Sequence, residues 1–405
     1  MALRYRAAMT ACMVVVAGCS AADTPEPSSA TWITESEYQF GGAPEADVIL
    51  QRPVIRADPP RDRLLVLDPP SSQVSAWTPG GSLGFVVGRR GEGPGEFAAP
   101  QNLFVEEDGS FSVLEGNGSR FTYFTVDGEL EASVRGPGRR IGYQGFDIGL
   151  GWPGNGVYLG VPRLLLAYEL GLRGDDPVGS QPLLRVRTLG DGQWGEPEPL
   201  LWLDVRNRAL LLQYGDGRRS FSMQPFGDAD QVRFEPGTAV VMRTKGTPGV
   251  VELIEVGSDG DTTWHRRLQF GPHRLTAQLV AETRDKFVEA AADYYVNVAS
   301  VSRERLRDIY SEALYSPEYL PAADGLPVLA ASGEVWIRTH EVVDTLRTHY
   351  AVRRGDMNEE PRRVLLPLWL RVSDVTDTHV WGIWRDSMDV PHVVGRRLVS
   401  LEASD

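Results

Sequence analysis

The sequence predicts an all-β fold, a six-bladed β-propeller with one helical insertion, and three observations carry that prediction. A block of strand-like residues recurs at a fixed spacing of 47. Glycine and proline, 43 and 28 of them in 405 residues, punctuate the chain into short segments. One stretch, between Thr276 and Leu314, has neither and follows a helical period instead.

The repeat is read first, because a repeat decides the architecture before any single motif does. Leu65-Val66-Leu67-Asp68 lies over Ser112-Val113-Leu114-Glu115, and Val74-Ser75-Ala76-Trp77 over Phe121-Thr122-Tyr123-Phe124. Thr78 to Leu83 falls over Thr125 to Leu130 at the same offset. Each unit reads as short alternating strands separated by turns, and a unit of this length holds the four strands of one propeller blade. Later segments keep the texture with irregular spacing, as in Thr238–Arg243 and Val250–Val256. Ser332 to Arg338 returns to the pattern of Asp108 to Leu114. Residues 45–401 at about 60 per blade make six blades once the insertion is set aside.

The insertion spans residues 274–315. Val280, Phe287, Ala291, Tyr294, Val298 and Val301 mark one helical face. A break near Ser300 or Ser302 predicts a second helix with Leu306, Ile309 and Tyr310 inward and a serine cap. The expectation is a helical hairpin covering the propeller, the alternative a lid or a docking surface.

Gly88 to Phe97, followed by Pro100, resembles the link between blades in NHL-type six-bladed propellers. There a glycine-rich turn ends in Gly-x-Phe-x-x-Pro. The resemblance is clear over residues 50–135, and the closing segment from His379 to Leu398 is similar to the last blade of that group. It implies that Phe97 packs where two blades meet. The tract is not read as a phosphate loop, since its glycine spacing and its setting between strands are wrong for one.

The N-terminus reads as an export signal. Arg4 and Arg6 precede an apolar run from Ala7 to Val16, too short to span a bilayer. Val16-Ala17-Gly18-Cys19 resembles the bacterial lipobox. That implies a signal peptide over 1–18, cleavage before Cys19 and lipid on its thiol. Residues 19–44, rich in small and polar side chains, are expected to be a flexible tether. Ser20 follows the cysteine where aspartate would retain an enteric lipoprotein on the inner membrane, so the outer membrane is expected. The one other cysteine, Cys12, lies within the signal, so the mature chain has no disulfide.

Composition narrows the partners. The net charge is −14, which excludes nucleic acid as the natural partner. The membrane is then reached through lipid on Cys19 rather than through charge, and an envelope protein is the other expected partner.

No convincing catalytic set is found. Gly80-Gly81-Ser82-Leu83-Gly84 spells a nucleophile elbow, but a strand follows where the mechanism needs a helix. His265, His273, His340, His349, His379 and His392 form no metal spacing, although His340 and His349 could meet across strands. Asp228 with Asp230 and Asp259 with Asp261 read as turn residues. The recurring arginine pairs read as charges on strand edges, with convergence into an anion site the alternative. No catalytic, metal or cofactor residue is therefore assigned. The function expected is a lipid-anchored binding or protein-interaction module. A metal-dependent hydrolase of the gluconolactonase-like kind, using the central channel, is the enzymatic alternative, and a structural role in a surface assembly is a third.

Overall fold

The structure is a computed structural model. It describes residues 31–41, 50–116, 119–136, 146–149, 157–162, 179–190, 193–214, 219–297 and 301–401. Cys19, the signal segment, residues 20–30 and the pair Arg139 and Arg140 lie outside the described residues.

Among the described residues most of the regular structure is strand, in a propeller-like arrangement of sheets. The first sheet is a four-stranded antiparallel meander of Val54–Asp58, Arg63–Asp68, Gln73–Trp77 and Leu83–Val87. The second repeats it with Pro100–Val105, Phe111–Glu115, Arg120–Phe124 and Leu130–Arg135. The third comprises Phe146–Gly149, Val157–Pro162, Ser180–Gly190 and Glu198–Asp204, with Gln193–Trp194 on its edge. The fourth runs Gln231–Glu235, Thr238–Arg243, Val250–Gly257 and Thr262–Gln269. The remaining large sheet is eight-stranded. It joins a meander from Val328 to Pro367 to another from Arg371 to Leu401, and Thr31–Phe40 lies between them.

The first strand of each meander stands innermost. Val54–Asp58 neighbours both Pro100–Val105 and Arg371–Val375, and Gln231–Glu235 neighbours both Phe146–Gly149 and Val328–Leu329. Apolar layers alternate with the sheets. Leu65, Leu67 and Val74 of the first sheet meet Leu103, Phe111 and Val113 of the second. The opposite face of the first sheet, with Ile55, Leu64 and Val66, meets Trp381, Ile383 and Val393. Period-two alternation is what lets one strand feed both layers: Leu65 and Val66 are adjacent in sequence and point to opposite faces. The ends of three first strands, at Ala57, Ala331 and Val375, meet on one side, called here the back, and the side where those strands begin is the front. Asp374 pins the back. Its carboxylate, fully buried, accepts from the backbone N–H groups of Ala57 (2.8 Å), Ala331 (3.0 Å) and Val375 (2.8 Å), and burial pushes its pKa up to about 6.

The 47-residue repeat is structural. Val66 and Val113 occupy the second strands of their sheets, paired with Ser75 and Thr122 on the third. The hairpin turns match atom for atom: Thr78 Oγ1 accepts from Ser82 N, and Thr125 Oγ1 from Glu129 N, both at 3.1 Å. Gly81 and Gly128 take positive φ there, so the Gly80–Gly84 tract is a hairpin turn. Even the strand-end carboxylates repeat. Asp68 accepts from Gln51 N and Arg52 N, while Glu115 accepts from Ala98 N and Ala99 N, partners again 47 apart. In the linking turn Phe97 is fully buried between the two sheets, edge-on to Phe124. Gly88 has φ +85°, and a Cβ there would fall 2.2 Å from the Phe97 ring. Glu96 fills the turn itself, accepting from Gly93 N at 2.9 Å and pairing with Arg89.

Two expectations change. The tether expected over 19–44 contains a ten-residue strand, Thr31–Phe40, antiparallel to Pro391–Leu401 from Thr31↔Leu401 to Phe40↔Val393. Its physical cause is Trp32, Tyr38 and Phe40, which pack on Arg362, Trp381 and Trp77. The helical insertion forms as expected, with α1 at Ala277–Asn297 and α2 at Arg303–Ala313. Ser302 caps α2, its hydroxyl accepting from Arg305 N. Its apolar face, however, packs on a second insertion rather than on the sheets. This is the hairpin Ala209–Gln213 and Arg219–Met223, whose Leu210 and Leu212 bury against Val288, Leu306, Ile309 and Tyr310. Tyr294 and Val298 belong to the expected face, but their side chains lie outside the described residues.

Candidate binding cleft

A cleft of about 440 Å³ opens on the front face where the outer strand of the third sheet meets the fourth. Trp202 and Asp204 come from the end of the third sheet. Asp230 begins the fourth, Arg243 ends its second strand, Lys245 lies in the following loop, and Glu252 and Arg267 complete the wall. Register explains the wall. Arg243 is the cross-strand partner of Glu252, and Glu252 of Arg267, so all three stand in one row on one face.

The floor is a hydrogen-bonded joint between the two sheets. Asp230, 2% exposed, donates its N–H to Asp204 O (2.7 Å), and its carboxylate accepts from Asp204 N (2.9 Å). The same carboxylate pairs with Arg243 Nε at 3.0 Å, and burial raises its pKa. Arg243 Nη2 then donates to Trp202 O at 2.9 Å. A buried carboxylate thus fixes a guanidinium, which fixes the backbone that carries Trp202. Its indole is 60% exposed at the rim.

Asp204 faces two cations, Arg206 at 2.5 Å and Lys245 at 3.0 Å. The Arg206 guanidinium, helped by Lys245, holds its carboxyl far below the usual range despite partial burial. Glu252 meets His265 Nε2 at 2.8 Å and lies 4.0 Å from Arg243. Arg267 is exposed and makes no ion pair among the described residues. Three cations, Arg243, Lys245 and Arg267, thus share the cleft with three carboxylates, and Arg206 draws on Asp204 from outside it. A second, shallower depression of about 430 Å³ lies on the other side of Trp202 and Asp204, against Gly179, Ser180 and Arg206.

The structure relocates several residues singled out in the sequence. Asp228 and Asp230 are more than turn residues: Asp230 is the floor of the cleft, and Asp228 accepts from Asn207 Nδ2 and Tyr315 OH, both at 3.1 Å, tying the hairpin insertion to the end of the helical one. Asp259 is a turn residue, accepting from Asp261 N. His340 and His349 do not pair. Strand register sets His349 opposite Arg338, and an irregularity between Arg338 and Val342 turns His340 toward His273, 6.0 Å away between ring centroids. His349 is buried, hydrogen-bonded to Arg347 O, and its pKa is pushed down to about 4 by desolvation. The arginine pairs mostly satisfy neighbours. Arg353 and Arg362 reach Glu334, Arg354 reaches Glu235, Arg363 reaches Glu341, and Arg397 reaches Glu35. Among the described residues no three His, Cys, Asp or Glu side chains converge as a metal ion needs.

Sequence reasoning missed the cleft because its residues come from two sheets and span 202–267 without a short motif. The available signal was Arg243, Glu252 and Arg267, which align only once the two intervening turns are counted.

No family model matches the chain, and no curated protein does. Solved structures of similar arrangement exist at low identity. A member of the DUF4221 family from Bacteroides vulgatus is 9% identical, with 92% of this chain and 99% of that one covered, at a TM-score of 0.48. A Bacteroides fragilis protein named as an exported one is 10% identical over 91% and 96%, at 0.44. Virginiamycin B lyase from Staphylococcus aureus is 10% identical over 91% and 100%, at 0.42.

Proposed function

We propose that the chain is an exported, lipid-tethered six-bladed propeller that works as a binding module through its front face. The eight-stranded sheet counts as two blades. Among the described residues its two meanders are joined only through the Thr31–Phe40 strand, which pairs in parallel with Arg363 and Val364 at the outer edge. Each meander also keeps its own innermost strand, and an apolar layer of Trp336, Val364, Val380 and Val394 lies between them. With the four other meanders that makes six. Thr31–Phe40 then closes the ring, as the outer strand of the last blade.

One observation carries the binding reading: the cleft, the hairpin insertion and the helices all rise from the front. Connections on one face of a rigid scaffold are where recognition concentrates. The tether leaves from the other side, since Thr31 pairs with Leu401 at the back end of its strand. Residues 20–30, extended, reach at most about 40 Å. An anchor on Cys19 is then attached at the back, on the side away from the cleft. Ser20 directs this reading to the outer membrane.

Changing Cys19 to alanine tests the tether. The variant should appear in the soluble exported fraction, and its retention on washed membranes would refute the anchor. Metal analysis of the purified protein, with a lactone hydrolysis assay, tests the module. A stoichiometric divalent ion together with turnover would make it a hydrolase instead.

A further inference from the structure

We propose that the cleft between Trp202 and Arg267 binds a small ring-bearing carboxylate, its ring against Trp202 and its carboxylate between Lys245 and Arg267. The inference rests on the binding-module reading and supplies its ligand class.

The charges decide the polarity of the ligand. Asp230 is spent on Arg243, which it holds at 3.0 Å from the buried side. Asp204 is shared by Arg206 and Lys245, so one negative charge answers two positive ones. Glu252 is turned to His265 at 2.8 Å, leaving Arg267 without an ion pair among the described residues. The cleft wall thus holds one cation without an ion pair among the described residues, Arg267, beside Lys245, which shares its single carboxylate with Arg206. A guanidinium and an ammonium facing a partly enclosed space suit a carboxylate, which can accept from both.

The rim decides the rest of the ligand. Trp202 keeps 60% of its surface in solvent, yet its main chain is fixed through Arg243 to a buried carboxylate. An exposed indole beside cations, on a main chain held in this way, offers a flat apolar face, a platform for an aromatic ring or for the C–H face of a sugar. Both ring types carry carboxylates, as benzoates and as uronic acids, and the chemistry they share is the one the cleft selects.

Isothermal titration of the exported chain carrying Cys19→Ala with benzoate and with galacturonate distinguishes the two sources, with inorganic phosphate as a probe of charge alone. At least one ring carboxylate should bind saturably, and phosphate more weakly. Arg267→Gln, Lys245→Gln and Trp202→Ala should each weaken that ligand about tenfold, as the loss of a charge-assisted bond or a stacking face does. All three sites are exposed or half-exposed, and a thermal melt checks that each variant folds. Saturable binding unaltered by the three variants would overturn the cleft assignment while leaving a binding module in place. Absence of binding by both carboxylates, or tighter binding of phosphate than of either, would overturn the ligand class. Failure of the module reading shows elsewhere, as metal-dependent lactone turnover.

Discussion

Leu306→Ala probes how firmly the front-face insertions belong to the folded molecule. Leu306 is completely buried in a cluster built from two insertions: Leu210, Leu212 and Tyr214 on the hairpin, Val288, Ile309 and Tyr310 on the helices. Truncation removes a buried isobutyl group and leaves a cavity that these six buried neighbours refill only in part, a loss of about 2–5 kcal/mol. Helix α2 has 11 residues and would be marginal alone, so its stability comes from this contact. At about 2 °C per kcal/mol for a chain of this size, the melting temperature should fall by about 4–10 °C. The assay is calorimetry on the unlipidated chain, with circular dichroism following helix and sheet separately. Leu65→Ala, buried between the first two sheets, serves as reference. A melting temperature unchanged in Leu306→Ala, with helix content intact, would refute the packing argument. Loss of helix signal well below the main transition would show that the insertions fold apart from the sheets.

Two further outcomes follow from buried ionisable groups. His349 is neutral in the fold with its pKa lowered to about 4, against about 6.5 in the unfolded chain, so protons bind the unfolded state more tightly as pH falls between those values. Stability from this group is present above 6.5 and lost toward 4, about 2 kcal/mol of it by pH 5. His349→Gln should flatten that part of a stability–pH curve measured by denaturant titration, and an unchanged slope would contradict it. Glu115→Gln should cost about 2 kcal/mol, because Arg120 keeps carbonyl partners but loses its buried counter-charge. Equal denaturation midpoints for Glu115→Gln and the parent would show that the repeated carboxylate does not stabilise the link between blades.

The first two blades were legible in the sequence down to single atoms, because Thr78 and Thr125, or Asp68 and Glu115, hold the same place at the same spacing. The third and fourth were not. Ser180–Gly190 is a long strand with an irregularity at Thr188, and the hairpin 209–223 interrupts the step to the next sheet. Thr31–Phe40 was missed for a different reason. Its partner is nearly the whole chain away, and averaging it with the polar residues before it hides Trp32, Tyr38 and Phe40. The helices were found from their period, while their partner was not, since an amphipathic face says that something is buried and not against what. The cleft is the extreme case: Asp230 reads as a turn residue until the neighbouring sheet supplies Asp204 and the next strand of its own sheet supplies Arg243.

The claim that recognition occurs beside Trp202 on the front face is tested most directly by ¹⁹F NMR of the chain carrying 5-fluorotryptophan. The sequence has ten tryptophans, and Trp202→Phe assigns the resonance in question. On titration with the ring carboxylate that binds best, the Trp202 resonance should shift and saturate while those of Trp77, Trp336 and Trp381, buried between sheets, stay in place. Saturable movement elsewhere with Trp202 silent would contradict the account.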